Sequence, residues 1–356
     1  MLTGVQLDFL RRRGARRMRP YGDQPVLPPQ GEVTGDAEEA GPAVDRGLEQ
    51  PPDNWAPIDV RKALAVDRCM PRRFVDGSQI HQTVACVTDP EGRPVPVELA
   101  EIGGICVRAD GRRLVREFEV VERVVCMIVD PFPWNEIEDF AAGLSEAGLR
   151  LLPARPPEDE DGSPALCFDF ERMRAYTRFS CRHAMEALEE VAWVRRAEVP
   201  TLVDGRLTRF HHRAGERSDV VGVIKRQHAD YLHDQGWRVL YALEPGQRTP
   251  AFLLNIRNLQ VVSWYLKLDG ADGAMPNWGV IRAEIPKAQF DRTGGDYGHL
   301  DRLSRGILEM RCRRGGSSYA RAPVSVEPIV RAEESLRSLL APLPTLVERF
   351  YRIAGL

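Results

Sequence analysis

Residues 199–231, VPTLVDGRLTRFHHRAGERSDVVGVIKRQHADY, decide how the rest of the chain is interpreted. An apolar run with β-propensity, 201–203, leads to Asp204, and the glycine that follows allows the backbone to turn sharply. A second apolar run, 220–224, leads to Lys225. The pattern predicts two strands that present an acidic and a basic side chain at their ends, with a polar loop between them.

A stretch far upstream has the same form. In residues 73–78, RFVDGS, an apolar run again leads to an aspartate that is followed by glycine. One Asp-Gly pair is usually only a turn. Two such pairs, each after a β-type run, favour a functional site, because Asp76 and Asp204 converge if their strands are neighbours in one sheet. Converging carboxylates are typical of a site for a divalent cation.

The composition is ordinary for a globular protein. The chain has 356 residues, of which 43% are hydrophobic and 28% are charged, and this length suits one large domain or two. The net charge of −3 gives no general reason to bind a polyanion. The arginines are clustered, however, and local basic patches near carboxylates suit a polyanion. The clusters are 11–17, 112–113, 195–196 and 311–314.

The seven cysteines include no CxxC pair and no Cys/His spacing typical of zinc, and several stand inside apolar runs. This usage predicts small buried thiols in a reducing compartment. No run approaches the ~18 apolar residues of a membrane span, and the N-terminus lacks the core of a signal peptide. We therefore predict a cytoplasmic protein that does not contact a membrane.

Composition divides the chain near residue 58. Residues 1–18 carry a short amphipathic pattern, for which we expect a frayed, solvated helix, with a docking or nucleic-acid-binding arm as the alternative. Residues 19–58 are rich in Pro, Gly, Asp and Glu and have few large apolar side chains, so they bury too little surface to offset the entropy of ordering. We predict a partly disordered N-terminal extension over 1–58 and a catalytic domain over 59–356.

Within 59–356, strand patterns come first and helical patterns follow. The predicted strands are 74–87, 98–108, 113–129, 238–243, 261–268 and 278–285, beside the two already described. One predicted helix begins at Asn135, which we expect to be its N-cap. The other predicted helices cover 170–196, 297–311, 326–340 and 343–353. Strands followed by helices predict an α/β or α+β domain with a central mixed sheet.

A metal site needs a third carboxylate near the two aspartates. The helix before Asp204 supplies Glu186, Glu189 and Glu190, although its periodicity equally fits a solvated face with an Arg182–Glu186 pair. Lys225 at a strand end is more often a solvated edge lysine than a phosphate ligand. Histidines 211 and 212 in the loop have side chains that bind metals, but no third histidine stands at a useful spacing from them. No Walker A, GxSxG or HExxH sequence is present.

The ordered set of motifs resembles the NurA nuclease domain from about residue 70 to 340. The matching motifs are DGS at 76–78, LVDGRL at 202–207, VVGVIK at 220–225, VIRAEIP at 280–286 and YARAPVSVEPIVRAEES at 319–335. The resemblance implies an RNase H-like fold and a manganese-dependent nuclease with 5′ to 3′ exonuclease and single-strand endonuclease activity. It also implies a homodimer that docks on a hexameric HerA-type ATPase, which translocates DNA.

By position, the resemblance assigns the family's two aspartates to Asp76 and Asp204 and its strand lysine to Lys225. The helical glutamate best matches Glu186, with Glu189 and Glu190 as alternatives. The late histidine of the family falls at Glu333, where this sequence departs. Glutamate is a hard oxygen donor that binds Mn²⁺ or Mg²⁺, so the site remains chemically reasonable.

Two functions follow from these matches. The first is a DNA nuclease in which Asp76, Glu186 and Asp204 hold Mn²⁺ or Mg²⁺, Lys225 faces the phosphate, and arginines 311–314 hold the incoming strand. The second is a divergent, non-catalytic nucleic-acid-binding subunit of a HerA-type complex, suggested by Glu333. An enzyme acting on RNA or on a small phosphoester is a weaker third. Sequence does not distinguish DNA repair from defence against phage.

Overall fold

A computed structural model gives the fold of the chain. The described residues are 7–18, 43–63, 70–111, 113–158, 162, 164–194, 199–207, 219–225, 231–256, 259–270, 274–312 and 325–356. The loop histidines 211 and 212 and the arginines 195, 196, 313 and 314 lie outside this set.

The described strands form one mixed sheet. They are β1 (Arg16–Arg17), β2 (Ala43–Asp45), β3 (Ile58–Asp59), β4 (Arg73–Thr88), β5 (Pro94–Asp110), β6 (Arg113–Met127), β7 (Arg150–Pro153), β8 (Thr201–Asp204), β9 (Val220–Ile224), β10 (Gln247–Arg248), β11 (Phe252–Ile256), β12 (Leu259–Lys267) and β13 (Val280–Pro286). Their order is β2-β11-β12-β13-β9-β8-β4-β5-β6-β7, with β1 on β4 and with β10 between β12 and β3.

Helices flank this sheet. They are α1 (Asp8–Arg12), α2 (Trp134–Glu146), α3 (Phe170–Val194), α4 (Asp234–Ala242), α5 (Lys287–Arg292), α6 (Tyr297–Glu309), α7 (Glu327–Arg337) and α8 (Leu343–Ala354). No helix in the described ranges is both long enough and apolar enough to cross a membrane.

The centre of the sheet has the RNase H-like arrangement that the resemblance implies. The long strands β4, β5 and β6 form an antiparallel meander. On the other side of β4, β8 and then β9 are added in parallel. The connection from β6 to β8 includes α3, as parallel neighbours require a crossover. The prediction of an α/β fold with a central mixed sheet flanked by helices is confirmed.

Alternation along the strands divides the core between the two faces of the sheet. Phe74 of β4 and Leu202 of β8 pack with side chains of α7. The residues that follow them, Val75 and Val203, pack instead with Ala192 and other residues of α3. We call the first the α7 face and the second the α3 face.

The N-terminal segment differs from the solvated extension that we expected. Phe9 and Leu10 of α1 are buried in the core beside α2 and α8, and β1 pairs with the far end of β4. Farther on, Trp55 is buried and Glu49 contacts a buried arginine of β10. These residues are few but large or charged, and each meets a matching partner elsewhere in the chain, which composition averaged over 1–58 does not reveal.

Two local predictions are wrong. Residues 238–243 were predicted as a strand, but they belong to helix α4, whose buried residues Gly236, Val239 and Leu240 have helical spacing. Asn135 was predicted to cap a helix, but the N-cap of α2 is Pro133, one residue before Trp134. The remaining predicted strands and helices each overlap an observed element of the same type.

Candidate active site

The two aspartates stand at the same edge of the sheet. β4 and β8 are parallel neighbours, with Val75 opposite Val203, so Asp76 and Asp204 are the next residues on adjacent strands. Because Phe74 and Leu202 point to the α7 face, the side chains two residues later point there too. Strand pairing therefore brings together two acidic side chains that lie far apart in sequence.

Lys225 comes to the same place from β9. Asp204 pairs with Val223 across β8 and β9, and Lys225 follows two residues later. Its Nζ lies 2.9 Å from Oδ2 of Asp204. Only 7% of the lysine side chain is exposed, so it is not the solvated edge lysine that its position alone suggested.

Asp76 is held in an environment that disfavours its negative charge. The residue is 4% exposed, and its Oδ1 accepts a hydrogen bond of 2.9 Å from the backbone N–H of Gly77. Its Oδ2 is buried without a hydrogen-bond partner in the described part of the chain. Burial, and then the charge of Asp204, raise the pKa of Asp76 well above its ordinary value, while Lys225 lowers it and Glu189 and Glu333 raise it further.

Glu189 reaches the site because glycines make room for α3. A Cβ atom on Gly77 would lie 2.3 Å from Oε1 of Glu189, and one on Gly104 would lie 2.6 Å from the backbone of Leu188. These glycines are opposite each other on β4 and β5. The helix thus lies directly on the sheet backbone, with the buried carboxylate of Glu189 beside Gly77, next to Asp76.

Arg73 fixes the end of the same helix. Its guanidinium is fully buried and donates to the carbonyl oxygens of Ala192 and Trp193, in the last turn of α3. Its Nε donates to Glu117 of β6 at 2.6 Å. A cation at a helix C-terminus satisfies the free carbonyl groups there and is favoured by the helix dipole. Arg73 is therefore a positioning residue for Glu189, one turn upstream.

The other two helical glutamates are placed differently. Glu186 lies 3.4 Å from Arg182 and 3.6 Å from His183, both on α3 itself. The Arg182–Glu186 pair is the one that the sequence offered as the alternative to a metal-ligand role for Glu186. Glu190 is half-buried. Of the three, Glu189 is the one whose charge is among the main influences on the pKa of Asp76, and Glu186 as a ligand stays a prediction.

Glu333 approaches the site from α7, which packs on β4 and β5. Its Oε1 lies 2.7 Å from Nη2 of Arg337, one turn later, and its side chain is only 12% exposed. Its charge also acts on Asp76. The residue is thus paired within its own helix while its charge acts on Asp76, and its role in the reaction stays a prediction.

Glu284 supports the site, and the sequence pattern did not single it out. It is fully buried on β13, where Oε1 accepts the N–H of Leu207 at 2.6 Å and Oε2 lies 2.8 Å from Arg282. The first contact fastens the turn that follows Asp204. A signal was present, because arginine and glutamate alternate with apolar residues in VIRAEIP, yet an alternating strand ordinarily has its polar face in water.

The donor set suits a hard divalent cation. Carboxylate oxygens are the ligands that Mn²⁺ and Mg²⁺ prefer, and the partnerless buried Oδ2 of Asp76 is an oxygen for which a cation would compensate. Within the described ranges, no three acidic, histidine or cysteine side chains already form a ligand cage. One reason is the ion pair of Lys225 with Asp204, because the carboxylate of Asp204 points toward the ammonium group.

Comparison with known proteins gives one structural neighbour to report. The crystal structure of the NurA nuclease from Sulfolobus solfataricus aligns with 85% of this chain and 86% of its own, with 12% sequence identity and a TM-score of 0.46. No protein family matches the sequence, and no curated protein is significantly similar to it.

Proposed function

We propose that this chain is a divalent-cation-dependent nuclease that hydrolyses phosphodiester bonds in DNA. One observation carries the proposal: Asp76 is a buried carboxylate with a partnerless oxygen, set beside Asp204, Glu189 and Glu333. Such a group of like charges is unfavourable in a protein interior unless a cation joins it. The ordered motifs shared with the NurA domain favour a nuclease among the enzymes that use such a site.

Asp76 and Asp204 would hold Mn²⁺ or Mg²⁺ on the α7 face, with Glu333 in place of the histidine of the NurA domain, and Glu189 would act from the α3 face across the backbone of Gly77, where no side chain intervenes. When bound, the cation would lower the pKa of an attacking water and stabilise the departing oxygen. Lys225 would leave Asp204 and face the negative charge of the phosphate. Arg73 and the glycines under α3 would keep Glu189 in place, which matters because small displacements of catalytic groups reduce rates steeply.

The resemblance also supports partners for this activity. We propose that the chain acts as a homodimer on a hexameric HerA-type ATPase in the cytoplasm, with 5′ to 3′ exonuclease and single-strand endonuclease activity, in DNA end processing or phage defence. The six cysteines in the described ranges are free thiols, in keeping with a reducing compartment.

The first test replaces each aspartate by its isosteric amide. Asp76→Asn and Asp204→Asn keep shape and lose the charge that holds the cation. We expect each to lower Mn²⁺-dependent cleavage of single-stranded DNA by about 100-fold or more, because a bound metal contributes several kcal/mol to such reactions. Cleavage is measured with an end-labelled oligonucleotide, with and without a chelator.

Glu334→Gln is the matched control, since it removes an acidic side chain of α7 that pairs with Arg331 on the surface. It should cleave as the unaltered protein does. Melting temperatures of all three variants establish that they are folded. Normal cleavage by either folded aspartate variant would refute the metal assignment.

A second candidate is a non-catalytic, nucleic-acid-binding subunit. The contact of Lys225 with Asp204 favours it, because the lysine neutralises a carboxylate that a metal would otherwise use. In that case neither Mn²⁺ nor a HerA-type ATPase would induce cleavage, and Asp204→Asn would bind DNA with unchanged affinity. Cleavage that a chelator abolishes would exclude this candidate.

A further inference from the structure

A basic cavity lies apart from the carboxylate site, and none of its lining residues belongs to that site. Its volume is about 570 Å³. Three arginines line it, Arg61, Arg305 and Arg311, together with Pro245, Leu268, Leu308 and Glu309. The cavity thus combines guanidinium groups with an apolar floor.

The arginines of this cavity are only partly paired within the described residues. Arg61 pairs with Asp59 at 2.9 Å and is also close enough to Glu244 to feel its charge, and Arg305 hydrogen-bonds Glu309 at 2.8 Å. Arg311 donates to the carbonyl oxygen of Leu308 and pairs with no carboxylate of the described residues. Each guanidinium has five N–H donors, more than these contacts use, so donors remain for an anion.

Pairing registers place the cavity on the same edge of the sheet as the carboxylates. Leu268 follows Lys267, which pairs with Val280 of β13. Farther along β13, Arg282 pairs with Ile224, the residue before Lys225. Leu268 therefore lies beyond the end of β9, on the same side as Lys225. The strand order β12-β13-β9-β8-β4 puts β12 two strand spacings, roughly 10 Å, from β9 and four, roughly 19 Å, from β4. The row of Asp76 and Asp204 meets β12 at Trp264, so Leu268 also lies four residues, roughly 13 Å, farther along the strands.

The cavity also shares the α7 face with the carboxylates. Leu268 and Leu308 belong to the core cluster that contains Phe74 and Leu202, whose alternation fixed the direction of Asp76 and Asp204. A chain connection strengthens this placement. Cys312 follows Arg311, and its thiol, whose pKa is raised to about 12 by burial and by Glu327, also feels the charge of Lys225.

A polyanion that lies along this edge would meet both sites. Both displacements together place the cavity roughly 20 Å from the aspartates, and each strand of a B-form duplex carries one phosphate per ~3.4 Å of axis, so this distance corresponds to about six nucleotides. Arginine binds phosphate through its planar fork of donors and does so without reading sequence. The acidic side chains at the reaction site need such distant contacts, because they repel the strand.

We infer that the cavity lined by Arg61, Arg305 and Arg311 is a second phosphate-binding site, which holds the backbone of the DNA strand about six nucleotides from the bond that is cleaved. The inference rests on the proposed function, since it takes the carboxylates as the reaction site. It predicts that a strand long enough to span both sites loses more affinity than a short one when the arginines are replaced.

The test is equilibrium binding with Ca²⁺ in place of Mn²⁺ or Mg²⁺, so that a cation offsets the repulsion by the carboxylates. The full chain is titrated with fluorescent oligothymidylates of 3 and 12 nucleotides over a range of salt concentrations. Arg305→Gln with Arg311→Gln should weaken binding of the longer strand on the order of tenfold. The slope of log affinity against log salt should become shallower by about 0.7 for each phosphate that the variant no longer neutralises. Binding of the trinucleotide, which cannot occupy both sites at once, should weaken less.

Arg150→Gln is the control, because this arginine is half exposed on β7, at the other end of the sheet, where it pairs with Glu122. It should leave both the affinity and the slope unchanged. Equal weakening of both oligonucleotides, or an unchanged slope for the longer one, would overturn the inference. Competition by inorganic phosphate at submillimolar concentration would also overturn it, since the cavity would then serve a small phosphorylated ligand.

Failure of this inference is distinguishable from failure of the proposed function. If the protein does not cleave DNA but the double variant shows the length-dependent loss, the second phosphate site stands and the nuclease proposal fails. If Mn²⁺-dependent cleavage is present and the double variant binds the longer strand normally, the nuclease proposal stands and the second site fails.

Discussion

Two groups of buried charge lie on the same sheet, and they are built on opposite principles. Around Arg248, one fully buried guanidinium meets Glu49 at 2.8 Å and Asp301 at 2.7 Å. Around Asp76, the carboxylates of Asp204, Glu189 and Glu333 raise its pKa and Lys225 lowers it, while Arg337 pairs with Glu333. The first group is a closed set of ion pairs. In the second, Oδ2 of Asp76 is buried without a partner among the described residues.

The pKa directions express this difference. Burial acts to lower the pKa of Arg248, but Glu49 and Asp301 raise it above its ordinary value, so the charged form is favoured. For Asp76, burial and Asp204 act in the same direction and disfavour the charged form. A closed ion cluster stabilises one arrangement of the chain, whereas an unbalanced one stores unfavourable energy that a bound cation can relieve. We therefore assign a structural role to the group around Arg248 and a functional role to the group around Asp76.

Breaking the group around Arg248 should have the largest effect on stability. Glu49→Gln removes the carboxylate that contacts both terminal nitrogens of Arg248 and also accepts the N–H of Ala251. Asp301 still compensates the charge through Nε, but the buried terminal nitrogens lose their ionic acceptor, so we expect a loss of about 3 kcal/mol in the free energy of unfolding, measured by urea denaturation.

Glu122→Gln is the comparison for this experiment, because its pair with Arg150 is largely in water. That variant should lose less than about 1 kcal/mol. A Glu49 variant as stable as the unaltered protein would mean that residues 43–58 are indeed a loosely held extension, as their composition suggested.

The sequence predicted the central sheet because long apolar runs and Asp-Gly turns are local signals. It predicted β4, β8 and β9, and it predicted that Asp76 and Asp204 converge if their strands are neighbours, which they are. Asp76 does not end its strand, however, because β4 continues through Gly77 to Thr88. The helical spacing of apolar residues likewise predicted α3. What lies within one element was therefore accessible from its pattern.

Contacts between elements were not accessible in the same way. Which of three glutamates on α3 reaches Asp76 depends on the rotation of the helix, and this is set by Gly104 under Leu188 and by Arg73 at the helix end. Neither residue has a local signal for that role. The buried position of Glu49 likewise depends on Arg248, far along the chain, so local composition described its neighbourhood as solvated.

An intermediate effect on stability is expected from a substitution where α3 packs on the sheet and brings Glu189 to the acidic group. Gly104→Ala would place a Cβ atom 2.6 Å from the carbonyl of Leu188, so the helix must shift. Such overpacking costs about 1–3 kcal/mol. Because Glu189 follows Leu188, we expect Mn²⁺-dependent cleavage to fall further than the loss of folded protein explains, with kcat reduced more than KM rises.

Gly103→Ala is the matched variant for that comparison, because its Cβ atom would meet Val120 and Leu336 on the opposite face. It should lose similar stability and keep most of its cleavage activity per folded molecule. If both variants lost activity to the same degree, the close approach of α3 would be a packing feature without a specific role in placing Glu189.

The smallest effect, with a sign opposite to that of Glu49→Gln, is expected for Asp76→Asn in the absence of metal. The folded-state pKa of Asp76 is raised, so between the ordinary value near 4 and the raised value the folded protein binds more protons than the unfolded chain. The free energy of unfolding therefore falls as pH rises through this window, by the contribution of this group. Asparagine does not ionise, so the variant keeps this part of the free energy of unfolding. It should be more stable than the unaltered protein at pH 7–8 by about 1 kcal/mol or more.

Two further measurements decide what that stabilisation means. Below about pH 4 the carboxyl group is protonated in both states, so the advantage of the variant should disappear. Added Mn²⁺ should reverse the order at neutral pH, because a ligand at 100 times its Kd stabilises the protein that binds it by about 2.7 kcal/mol, and only the aspartate form is expected to bind. If the variant were instead less stable than the unaltered protein in a metal-free urea titration at pH 7–8, the charge of Asp76 would be compensated within the fold. The acidic group would then be a structural ion cluster like that of Arg248, and the distinction on which the proposed function depends would be lost.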